Sequence, residues 1–82
     1  MTARQLFAKR HGMPAGLVEP VRTPAGWACV YLAEAQGIDT DGAKYATICE
    51  AHGTIVSERT KRDALASARH PEMFCDGCRG DL

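Results

Sequence analysis

Two short runs hold residues of metal-binding type at matched spacing: Cys49-Glu50-Ala51-His52 and Cys75-Asp76-Gly77-Cys78. A gap of two residues lets one tight turn aim both side chains of a pair at one ion. Two such pairs form the ligand pattern of a closed, four-coordinate structural zinc site. Thiolate sulfur and imidazole nitrogen are the donors that Zn2+ prefers. Gly53, directly after His52, supplies a position that tolerates positive φ, so that backbone N–H groups can point back at the first ligand. The expected metal site is Cys49, His52, Cys75 and Cys78 around one structural zinc.

Other chemistries fit less well. His70-Pro71-Glu72 before Cys75-x2-Cys78 superficially matches the histidine–glutamate and paired-cysteine parts of zinc deaminases. Those parts belong on separate helix starts with a proline before the first cysteine. Here Phe74 holds that place and the two parts nearly touch in sequence. A thiol–disulfide centre at Cys75 and Cys78 would want a low-pKa thiolate at a helix N-terminus in a βαβ setting, whereas this pair follows a helix. It stands as the least favoured alternative. A catalytic zinc needs an open coordination position, and four good ligands leave none. The chain is therefore read as non-enzymatic, with no catalytic residue.

The composition explains why a metal is wanted. Of the 82 residues, 45% fall in the hydrophobic class, but 13 are Ala and 4 are Cys. The large residues expected to make a core are Leu6, Phe7, Leu17, Val18, Val21, Trp27, Val30, Leu32, Tyr45, Ile48, Ile55, Val56, Leu65, Met73 and Phe74. A core of this size supplies only about 3–5 kcal/mol, whereas structural zinc contributes about 10–16 kcal/mol of apparent binding energy in small folds. Cys29, on an alternating apolar strand, is expected in the core, with a lesser claim to replace His52 as ligand. His11 and His70 are expected at solvent-facing helix ends, His70 being close enough to the second pair to serve as a reserve ligand.

The elements that must position these ligands can be read in turn. A helix over about residues 3–11 ends at Gly12 and Pro14. A stretch rich in turn formers follows over 12–26, ending in Thr23-Pro24-Ala25-Gly26. A strand over 27–33 puts Trp27, Cys29 and Tyr31 on one face. The loop from Ala35 to Ala43, with Asp39 and Asp41, leads to strands at about 44–49 and 54–58. Those two strands form a hairpin tipped by Cys49 and His52. Thr60 is a good N-cap, with Asp63 in the first turn, for a helix running to about Arg69. Ala64, Leu65 and Ala68 form its buried stripe, and Arg59, Arg62 and Arg69 gather around Ala66 on another face. The expected fold is a small zinc-stabilised α+β domain of the zinc-ribbon or zinc-finger kind. It has a short antiparallel sheet of about three strands, one main helix and an N-terminal helix. Residues 1–26 form the N-terminal helix and Pro/Gly-rich segment, and residues 27–82 the zinc-binding part of a single domain.

The run from Lys44 through Cys49-Glu50-Ala51-His52-Gly53, Thr60, Ala64, Ala68 and Pro71-Glu72 to Phe74-Cys75-Asp76-Gly77-Cys78-Arg79 resembles a group of small proteins of actinobacteria and their phages. Those proteins share a Cys-x2-His-Gly element and a C-terminal aromatic-Cys-x2-Cys. The resemblance implies a zinc-ribbon-like mini-domain over about residues 44–79 and leaves 1–43 unmatched. It implies no activity.

Formal net charge is zero, which argues against a general polyanion binder. Local segregation persists, with basic stretches at 1–22 and 59–70 flanking an acidic one at 34–58. No apolar run approaches the length of about 18 residues that a membrane span needs, and no signal-peptide core follows the basic start. The pairing of His with Cys has no disulfide explanation, so the cytoplasm is the expected compartment. The leading expectation is an adaptor that docks on a larger protein, with residues 12–26 ordering on binding. The alternative is a nucleic-acid- or ribosome-associated module using Arg59, Arg62 and Arg69 with Arg4, Lys9 and Arg10. Against it, only Tyr31 and Tyr45 offer exposed aromatic surface for stacking bases.

Overall fold

The computed structural model describes residues 2–37 and 42–80. Asp39 and Asp41 of the expected Ala35–Ala43 loop lie outside the described residues. Helix α1 (Ala3–His11) opens the chain, followed by strands β1 (Leu17–Thr23), β2 (Gly26–Leu32), β3 (Tyr45–Cys49) and β4 (Ile55–Glu58). A 3-10 turn over Glu34–Gln36 lies between β2 and β3, and helix α2 (Lys61–Arg69), a 3-10 turn over Pro71–Met73 and the short helix α3 (Asp76–Gly80) follow β4. The fold is α+β. Among the described residues one sheet forms, with four strands in the order β1-β2-β3-β4, and each neighbouring pair is antiparallel.

The additional strand, β1, lies inside the stretch 12–26 that was expected to be irregular. Pro20 lacks a backbone donor, which is tolerated because β1 is an edge strand. Pro24 and Ala25 turn the chain directly into β2, where Thr23 pairs with Gly26. Arg4 of α1 donates to the Val18 carbonyl oxygen at 2.8 Å, tying helix to edge. Residues 17–23 are therefore part of the sheet.

The alternation along β2 separates two cores. On one face Phe7 of α1 packs with Leu17, Trp27, Cys29 and Tyr31. On the other, Ala28 and Val30 meet Ala64 and Ala68 of α2. The sheet is thus a layer between two helices, and α2 lies against it through alanines alone at full burial. Thr47, buried on the α2 face, donates its hydroxyl to the Ala64 carbonyl oxygen at 3.0 Å. Helix α2 begins as expected: the Thr60 hydroxyl accepts from the Asp63 N–H at 3.1 Å.

Several core expectations need correction. Leu32 (38% exposed), Ile55 (49%) and Met73 (75%) are on the surface. Leu32 and Ile55 close the alternation at strand ends where no helix covers them, and Met73 sits in the 3-10 turn. Tyr31 is buried at 3% exposure, so it offers no stacking surface. Cys29 is fully buried in the core beneath α1. No helix among the described residues is long and apolar enough to cross a membrane.

Candidate metal centre

Both Cys-x2 turns arrive at the same end of the sheet. Cys49 is the last residue of β3 and pairs with Ala28, so it points to the α2 face. Its carbonyl oxygen then accepts from the N–H groups of His52 (3.3 Å) and Gly53 (2.6 Å), and its N–H reaches the Thr54 carbonyl at 2.8 Å. Gly53 has φ +76°, the left-handed conformation that makes this closure strain-free only for glycine. In this first turn the N–H groups of His52 and Gly53 thus point back at the first residue of the pair, Cys49, through its carbonyl oxygen. The second turn is carried by α2, since Pro71 ends that helix and starts the 3-10 turn. The Cys75 N–H then bonds to the Pro71 carbonyl at 2.8 Å. Helix α3 follows at once and presents Cys78.

The result is one cluster. The donor atoms of Cys49, His52, Cys75 and Cys78 all lie within 4.8 Å of one another. His52 Nδ1 is 3.4 Å from Cys49 Sγ, 3.5 Å from Cys75 Sγ and 3.4 Å from Cys78 Sγ. Cys49 Sγ and Cys78 Sγ are 3.4 Å apart. A tetrahedral ion with metal–sulfur bonds of about 2.3 Å and metal–nitrogen bonds of about 2.0–2.1 Å requires nitrogen–sulfur edges near 3.5 Å and sulfur–sulfur edges near 3.8 Å. The three nitrogen–sulfur distances match, and the sulfur pair needs to open by only a few tenths of an ångström. The four residues could therefore hold one metal ion. Cys49, Cys75 and Cys78 are buried, while His52 forms the exposed side of the cluster. Ala25 and Phe74 pack around the thiols.

The thiols hold their protons unequally. Burial, reinforced by Cys49 and Cys75, pushes Cys78 up to about 12. Burial opposes ionisation of Cys75 too, but hydrogen bonds from the Thr54 hydroxyl and the Cys78 backbone and side chain bring it down to about 6. The Thr54 contact is 3.3 Å. One thiolate is thus stabilised even by neutral neighbours, and a cation at the centre would favour the ionised form of all three.

The other candidates are elsewhere. Cys29 lies on the opposite sheet face, outside the cluster. His70 is exposed and lies 3.6 Å from the Glu72 carboxylate, outside the cluster. His11 stacks on Phe7 with ring centroids 4.7 Å apart. Arg59, Arg62 and Arg69 are all exposed. Two contributors were missed in the sequence. Thr54 supports Cys75, and Gly77 lies directly against the His52 ring. A third link joins the first turn to the sheet: Tyr31 donates its hydroxyl to Glu50 Oε1 at 2.6 Å. None of the three carries a spacing signal.

Among the described residues, open depressions on the surface include one lined by Glu58, Asp63, Ala66, Ser67, His70 and Met73, and another lined by residues including Leu32, Glu34 and Lys44. Neither borders a cluster residue. Fold and site define a small α+β protein built around a Cys3His cluster. No family model, no curated protein and no solved structure matches the chain.

Proposed function

We propose that the protein is a non-catalytic, zinc-stabilised adaptor that docks on a larger protein partner. The observation that supports this reading best is the closed donor set: three thiolates and one imidazole nitrogen at tetrahedral spacing. Such a set binds zinc for stability and leaves no coordination position for a substrate. The exposed Met73 borders the groove against α2, and flexible thioethers suit adaptable contacts. All four cysteines are free of disulfides, which fits a reducing, cytoplasmic setting. The resemblance to zinc-ribbon-like proteins of actinobacteria and their phages belongs to the same proposal.

A second reading rests on the exposure of Arg59, Arg62 and Arg69. Among the described residues, none of the three carries an ion pair, so a basic face for a nucleic acid or ribosome is the alternative. Capture from the native host with zinc-loaded protein separates the two. Nuclease-resistant recovery of one defined protein supports the adaptor. Nuclease-sensitive recovery, with affinity falling steeply as salt rises, supports nucleic acid instead.

A further inference from the structure

Gly77 is a glycine without a backbone reason. It lies inside α3 and is absent from the positive-φ glycines, so alanine, the better helix former, would suit its conformation. What excludes a side chain is His52. A Cβ built at position 77 would stand 2.5 Å from Cδ2, 2.7 Å from Cγ and 2.8 Å from Nε2 of the imidazole. Real Cβ atoms do not come so close, and all three contacts are with one rigid ring. We infer that Gly77 is a positioning residue: it is the seat that holds the His52 ring with Nδ1 aimed at the three sulfurs, and so closes the fourth coordination position.

The need for a seat follows from the exposure of the ligand. The three cysteines are fixed by burial, whereas His52 is exposed. Neighbours that orient a ligand commonly change metal affinity by about 10–100-fold when altered. The seat also explains why His52 reaches the cluster through Nδ1. With Nδ1 turned to the sulfurs, Cγ, Cδ2 and Nε2 are the ring atoms set against position 77. That approach is possible only where residue 77 has no Cβ. A glycine in the Cys75-x2-Cys78 turn is therefore matched to a histidine in the Cys49-x2-His52 turn. A cysteine at position 52 would carry its sulfur near the same point, the longer metal–sulfur bond making up the shorter reach, and would need no seat.

This inference rests on the metal reading, and a cobalt(II) titration distinguishes the failure of each. Four chains are compared: wild type, Gly77→Ala, His52→Cys and the double variant. The expected result is that Gly77→Ala weakens cobalt binding at least about 10-fold. Its thiolate-to-cobalt absorption should persist while the d–d bands move as water replaces nitrogen, and added imidazole should restore them. In the His52→Cys background the same alanine should change affinity by no more than about twofold, because its target is gone. Wild-type bands in Gly77→Ala, or an equal loss in both backgrounds, would overturn the seat while leaving the metal site standing. If Gly77→Ala does not fold, folding of the double variant supports the seat, and failure of both overturns it. A wild-type chain that takes up no cobalt or zinc would overturn the metal reading and the seat with it.

Discussion

Burial pushes the Cys29 thiol up to about 12 from an ordinary value of 9.0, and the charge of Glu50 adds to the effect. Burial and the hydrogen bond to Glu50 raise Tyr31 as well. Below pH 9 both folded and unfolded chains keep the Cys29 proton. Above it the unfolded chain releases the proton first, so stability falls with rising pH until the folded thiol also ionises near 12. One such group contributes a slope of at most about 1.4 kcal/mol per pH unit. Cys29→Ala should therefore flatten alkaline unfolding between pH 9 and 12, lower neutral stability by about 1 kcal/mol, and leave metal content unchanged. Loss of metal in that variant would mean that Cys29 is a ligand after all. Thr47 makes a second prediction: Thr47→Val deletes the buried bond to the Ala64 carbonyl and should cost about 1 kcal/mol in denaturant melts. At this scale the four residues of the cluster were legible because the chemistry that would select them as ligands also fixes their spacing. Gly77 was not. Its reason is a ring that approaches from another part of the chain, and no local pattern records that approach.

Helix α2 is held by small residues. Ala64 and Ala68 are fully buried against Ala28 and Val30, so helix and sheet approach closely. Ala68→Leu should force them apart and cost about 1–3 kcal/mol, whereas Ala66→Leu, at an exposed position, should stay within about 0.5 kcal/mol. Thermal melts at matched zinc would show the difference. Because α2 carries the chain toward Cys75, a displaced helix should also loosen the metal. The helix was readable from Thr60, Asp63 and Pro71, since caps and breakers act within a few residues. Strand β1 was obscured by its own composition. Glycine and proline before and within Leu17–Thr23 read as loop, yet an edge strand satisfies half its backbone in solvent and accepts Pro20. The exposed Leu32 and Ile55 have the opposite cause. Alternation tells which residues share a face, but not how far a covering helix extends.

As a whole, the molecule consists of two thin cores on either side of one sheet and a third cluster, the thiols, at its end. Among the described residues, only the third joins β3 to the C-terminal helix through donors that a metal can bridge. Cys75→Ser should therefore lose the ion and unfold the C-terminal half, seen as lost helical circular dichroism. Reversing Arg59, Arg62 and Arg69 to Glu should leave zinc content and circular dichroism native, with about 0.5 kcal/mol or less per site. Loss of partner capture in that triple variant would place the interface on this face, and unchanged capture would make it ordinary solvated surface. The measurement that bears most directly on the account is the metal content of protein purified without added metal. Elemental analysis should find one zinc per chain, with the cysteines of the cluster protected from thiol reagents until a chelator is added. A folded chain with no metal and four freely titrating thiols would contradict it.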